Sequence, residues 1–142
     1  MKKLRLILNI AFAILMFSQG FAQGNTTVAD NINGLYWSPN KDARIQIYSR
    51  EGRYFGKSSW VAISRKDTKN PDESLNKRDV LGIELLSNFV YNNGVYTEGK
   101  IYDPQTGKTY NCRMTLMGNT LKVRGYVGIS MFGRTELFER IN

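Results

Sequence analysis

The chain predicts an all-β fold, a single small antiparallel barrel of about eight strands. Three observations carry that reading. Between positions 33 and 141 apolar residues recur at every second position rather than every third or fourth. The segments that carry them are short and end at Gly, Asn, Asp or Pro. Positions 23–142 also suffice for one hydrophobic core and are too few for two ordinary domains.

Alternation predicts strands near 33–38, 43–49, 53–62, 80–91, 95–102, 108–117, 120–128 and 134–141, with 80–91 one bent strand. Asn92-Asn93-Gly94 and Gly118-Asn119 tolerate positive φ, and Asp103-Pro104-Gln105-Thr106-Gly107 sets Pro early and Gly late in a tight loop. Each suits a hairpin. The one long connection, 64–79, is polar, and Asn70-Pro71-Asp72-Glu73 within it predicts a single helical turn with Asn70 as N-cap. Eight such strands suit a sandwich or a closed barrel. The barrel is favoured because closure removes exposed edges.

The N-terminus follows a different pattern. Met1-Lys2-Lys3-Leu4-Arg5 is basic, Leu6 to Phe17 is apolar but for Asn9, and Gly20 and Ala22 are small residues at positions that suit a cut between Ala22 and Gln23. Such an order marks a cleavable signal peptide over residues 1–22, too short in its apolar part to span a bilayer. The expectation is an exported protein, periplasmic or extracellular, that is soluble after cleavage, with 23–142 as its one domain. Removing Lys2, Lys3 and Arg5 leaves 17 basic residues against 12 acidic ones, a net charge of +5 rather than +8. Nucleic acid is not an expected partner in that compartment. A basic face there would instead meet anionic lipid, glycan or a small acid.

Cys112 is the only cysteine, so no intramolecular disulfide exists. It alternates with Tyr110, Met114 and Leu116, which marks an inert core thiol.

Several motifs taken together, Asn70-Pro71-Asp72, Leu81-Gly82, Ile101-Tyr102-Asp103-Pro104-x-x-Gly107-Lys108-x-Tyr110, Leu121-x-Val123-Arg124-Gly125-Tyr126-x-Gly128 and Gly133-Arg134-Thr135, resemble the domain-of-unknown-function 2147 family. The resemblance runs from Gly34-Leu35-Tyr36-Trp37 to Arg140. It implies a small exported bacterial protein with a lipocalin-like barrel and no established activity. It also implies a cysteine pair in many members, roughly where Arg50 and Phe55 stand here.

The chain has no histidine, which removes the usual general base, His-based triads and most zinc sites. Thr106-Gly107-Lys108-Thr109 lacks the earlier glycine of a phosphate-binding loop, since position 102 is Tyr. Glu84, Glu98 and Glu136 are the strand carboxylates available to a glycan hydrolase, with nothing to fix their separation. No cofactor or metal is expected.

Hairpin register supplies the leading candidate site. A two-residue Gly118-Asn119 turn pairs Met117 with Thr120, Leu116 with Leu121, Met114 with Val123 and Cys112 with Gly125, which sets Arg113 opposite Arg124 on the other face. If Asp103 pairs with Lys108, Glu98 falls opposite Arg113, with Tyr126 and Asn111 alongside. One carboxylate against two guanidinium groups leaves room for an anion. The alternation alone leaves open whether this face is the barrel's outside or its interior.

Trp37, Trp60, Tyr36, Phe55 and Phe132 are candidate cavity aromatics, and 129–132 an apolar flap between glycines. The candidate ligand-binding set is therefore Arg113, Arg124, Tyr126, Glu98, Trp60, Phe132 and Arg134. A non-enzymatic barrel binding a small amphiphilic acid is the leading expectation. A protein-binding or inhibitor module and a carboxylate-dependent glycan hydrolase are the alternatives.

Overall fold

A computed structural model of the chain describes residues 27–142. The signal peptide and the cut between Ala22 and Gln23 lie outside these residues. The elements are a 3-10 helix, η1 (Val28–Ile32), then β1 (Gly34–Trp37), β2 (Ala43–Arg50), β3 (Arg53–Val61), β4 (Glu84–Asn92), β5 (Val95–Asp103), β6 (Lys108–Met117), β7 (Thr120–Tyr126) and β8 (Gly133–Arg140). Each strand pairs antiparallel with the next, and β8 returns to β1 to close the barrel. No helix among the described residues is long and apolar enough to cross a membrane.

The side-chain period of two decides what fills the interior. Tyr36, Ile45, Ile47, Tyr54, Leu86, Phe89, Tyr96, Cys112, Met114, Leu121, Val123 and Phe138 point inward and form one buried cluster. At Gly99 the interior leaves no room for a side chain, since an added Cβ would lie 2.3 Å from the Phe89 ring. β4 bends as expected, with Asn88 at φ 64.

Two expectations change. No helix forms within 64–79. The Asn70 side chain instead accepts from the Asp72 amide at 2.8 Å, and the Asp72 side chain from the Ser74 amide at 2.9 Å, giving successive turns. The 3-10 helix lies at the other end of the chain, at Val28–Ile32. Second, β4 begins at Glu84 rather than position 80. Val80 to Ile83 instead folds back on Ser58, whose hydroxyl donates to the Val80 carbonyl while Gly82 N–H donates to Ser58.

The helix η1 closes one end of the barrel. Tyr36 donates to the Ile32 carbonyl at 2.7 Å, Tyr96 to the Ala29 carbonyl at 2.5 Å, and Tyr54 to Asp30 at 2.9 Å. Arg140 donates to the carbonyls of Asn31 and Asn33 and to the Tyr36 hydroxyl. These bonds pair carbonyls of the helix that its own turns leave free.

Candidate functional site

With one end plugged, the barrel opens at the other, among the loops 38–42, 62–83, 104–107 and 127–132. A cavity of about 730 Å³ enters there. Its apolar wall is Ile45, Ile101, Val123 and Phe138, its polar groups include Ser58, Tyr110 and Glu136, and Arg65, Arg134, Asp42, Asp103 and Phe132 border the mouth.

The sequence of β8 accounts for this polarity. Phe138 faces in and packs beside Leu121, so alternation turns Glu136 and Arg134 inward as well, opposite Val123 and Gly125. Arg134 meets Glu136 at 3.2 Å, with the arginine side chain 86% and the glutamate 38% exposed. In that exposure the pair is screened and contributes little stability. Arg65 is exposed and, among the described residues, in no ion pair.

The expected Arg113 row is only partly assembled. The register of β6 on β7 is as read from the turn, with Arg113 opposite Arg124 and Cys112 opposite Gly125. Asp103 also pairs with Lys108. The register then slips between Gly99 and Tyr96, and Glu98 sits in that bulge at φ 61, outside the paired row and in no ion pair with Arg113. The face itself is the outside of the barrel, because Cys112, Met114, Leu121 and Val123 occupy the interior. Arg124 meets protein groups rather than a vacancy. It donates to the Ser130 carbonyl at 2.6 Å, the Met131 carbonyl at 3.2 Å and the Thr135 hydroxyl at 2.7 Å. It therefore fixes the 127–132 loop, and Phe132, Tyr126 and Val127 of that region border the mouth.

Of the candidate cavity aromatics, Phe132 alone borders the opening. Tyr36 is buried at the closed end, while Trp37, Trp60 and Phe55 lie on the outer face of β1 to β3. Of the three strand carboxylates only Glu136 lines the cavity. Glu84 is outside, accepting from Tyr48 at 2.6 Å.

The long loop is held by a buried acid. Asp67 is fully buried and accepts from Tyr102 at 2.5 Å, Asn70 at 2.8 Å and Arg78 at 3.0 Å. Burial works to raise its pKa, but the hydrogen bonds from Tyr102, Asn70 and Arg78 prevail and lower it. Burial and the same carboxylate push the Tyr102 hydroxyl up to about 12. Burial likewise pushes the Cys112 thiol up to about 12, which leaves it protonated and unreactive, as its position in the alternation implies.

Tyr110 and Ser58 lie outside every candidate set the sequence supplies, and Glu136 enters there only as a carboxylate available to a hydrolase. A signal for Glu136 was present, since Arg134, Glu136 and Phe138 share one strand face and Phe138 has to be buried. For Ser58 there was none, because its role depends on the distant 80–83 segment.

The family described as "Uncharacterized protein conserved in bacteria (DUF2147)" matches residues 34–140. The chain belongs to this family. Arg50 and Phe55, where the resemblance implies cysteines in other DUF2147 members, are in contact here, with the guanidinium 4.1 Å from the ring centroid. Among solved structures the chain is similar to protein HP1028 from the human pathogen Helicobacter pylori, described as belonging to the lipocalin family. The TM-score is 0.72 at 22% identity, over 78% of this chain and 82% of that one. The fold of this DUF2147 chain is accordingly lipocalin-like. A search of curated proteins returns no match.

Proposed function

We propose that this DUF2147 chain is an exported, non-enzymatic binding barrel for a small amphiphilic acid, such as a fatty acid or lipid fragment. The observation that carries the reading is the cavity of about 730 Å³, with Ile45, Ile101, Val123 and Phe138 as its apolar wall and Arg65 and Arg134 beside the acids Asp42 and Asp103 at its mouth. That size lies within the range of small-molecule sites, roughly 300–1,000 Å³. An acyl chain fits against Ile45, Ile101, Val123 and Phe138, and its acidic group meets Arg65 and Arg134 at the mouth. Because Glu136 already opposes Arg134, Arg65 is the cation with charge to offer. Phe132 and Tyr126 border the entrance, and Arg124 acts indirectly by fixing the loop that carries Phe132. Arg113, Glu98 and Trp60 have no part in this reading. The basic, apolar and small-residue order of positions 1–22 supports export.

Native mass spectrometry of the protein purified from its own envelope tests the reading, alongside fatty-acid titration followed by melting temperature. Wild type carries an added mass of lipid size and is stabilised by added fatty acid. Val123→Trp, which fills the cavity, loses both. A protein that arrives bare and is stabilised by no chain length overturns the proposal.

A protein-docking role is the second reading. It is favoured by Ile63, Val127, Ile129, Met131 and Phe132, all at least 59% exposed on the loops of the open end. A copurifying polypeptide with an empty cavity supports it over ligand binding.

A further inference from the structure

The outer face of β1 to β3 carries a second group of residues that the cavity does not use. Trp37 pairs with Arg44 across β1 and β2, and Arg44 pairs with Trp60 across β2 and β3, so the three stand in one row. Their inward neighbours Tyr36 and Ile45 are core residues, which turns all three outward. The guanidinium carbon of Arg44 lies 4.6 Å from the Trp37 ring centroid and 5.2 Å from that of Trp60. The two indoles meet edge to face at 5.8 Å.

Such stacking fixes a guanidinium plane while leaving its in-plane N–H groups to find acceptors elsewhere. Here acceptors are missing. The Nε of Arg44 is buried with no hydrogen-bond partner, and among the described residues Arg44 makes no ion pair. The nearby acid Glu139, which pairs with Trp37 across β8 and β1, is engaged by Lys41 at 3.7 Å. The next outward pair along the strands is Gln46 with Lys57, an amide and a further cation, and the acid opposite Lys57 on β4, Glu84, is engaged by Tyr48 at 2.6 Å and Arg50 at 3.7 Å. Trp60 remains 39% exposed.

We propose that Trp37, Arg44 and Trp60 form a binding site for an acidic saccharide. The terminal N–H groups of Arg44 take the carboxylate or phosphate of the sugar in charge-assisted hydrogen bonds, and the exposed part of Trp60 packs against the sugar ring. Lys57 adds attraction for the same charge. The site lies on the barrel's outer surface and stands independently of any ligand in the cavity.

These are the chain's two tryptophans, so intrinsic fluorescence reports on the site directly. The protein is titrated with a galacturonic acid oligomer, a neutral galactose oligomer of equal length and inorganic phosphate. The acidic oligomer gives a saturable change, at least tenfold tighter than the neutral one. Phosphate competing alone at comparable concentration assigns recognition to the anion, and weak phosphate competition assigns it to anion and ring together. Arg44→Gln weakens acidic-oligomer binding at least tenfold, while Arg44→Lys, which keeps charge but loses the planar fork, falls between. Melting curves of both variants confirm that they are folded, and Lys57→Gln, away from the stack, gives a smaller loss should either fail to fold. Absence of a saturable change up to millimolar acidic oligomer, or equal affinity in wild type and Arg44→Gln, overturns the proposal.

Discussion

Arg124 on the outer face of β7 donates to the Ser130 carbonyl at 2.6 Å, and so fastens the loop at the barrel mouth to the barrel wall. Its register partner Arg113 is exposed and makes no such contact. Two like charges meet across β6 and β7 without requiring an anion, because water screens one and loop oxygens receive the other.

Replacing Arg124 by Met releases the Ser130 and Met131 carbonyls and the Thr135 hydroxyl. Since the loop is exposed, the loss falls on local opening, about 1–1.5 kcal/mol, or roughly tenfold in exchange rate. Hydrogen exchange by mass spectrometry should show amides of 128–133 faster, with the remaining strands unchanged. Unaltered exchange in this loop would mean that the three bonds do not restrain it.

Asp67 links the 62–83 loop to β5 through Tyr102. Its folded pKa is lowered, so its contribution is present above the unfolded value, about 3.9, and is lost as pH falls through the folded value. Asp67→Asn leaves Arg78 without its buried partner and should destabilise by about 1–3 kcal/mol at pH 7. In urea unfolding the gap between variant and wild type should close below roughly pH 4. A gap of constant size from pH 7 to pH 3 refutes a role for the charge.

Gly99 lies beneath the Phe89 ring on the facing strand. Gly99→Ala should destabilise by about 1–3 kcal/mol through overpacking. A smaller ring-free residue at the facing position, Phe89→Leu, should recover part of that loss in the double variant. Additive losses measured in denaturant would show that the close approach is not the cause.

Cys112 is fully buried, and its thiol is pushed up to about 12. A disulfide-exchange reagent at pH 8 should leave native protein unlabelled for hours and label it fully in denaturant. Stoichiometric labelling of folded protein within minutes would contradict its burial.

The strand order and much of the pairing were legible in the sequence, because local chemistry sets both. Period-two alternation marks the strands, and the two-residue turn at Gly118-Asn119 fixes the pairing of Met117 with Thr120. The position of Glu98 was not legible. A single bulge shifts register, and nothing in the residues around Glu98 announces it.

What the sequence by itself determined was therefore the β class, the hairpins, the inert cysteine and the family. Alternation set Arg113 and Arg124 on the face opposite Cys112, Met114, Leu121 and Val123, and the structure decided that this face is the outer one. Only the tertiary structure decided which residues share the mouth and what Arg124 holds. Closure of β8 on β1 brings Arg134 and Glu136 to the same cavity as Ser58 and Tyr110, and the returning 127–132 loop supplies oxygens to Arg124. These contacts join segments far apart in the chain or depend on the path of a loop. Alternation and turn chemistry act over only a few residues and carry no information about them.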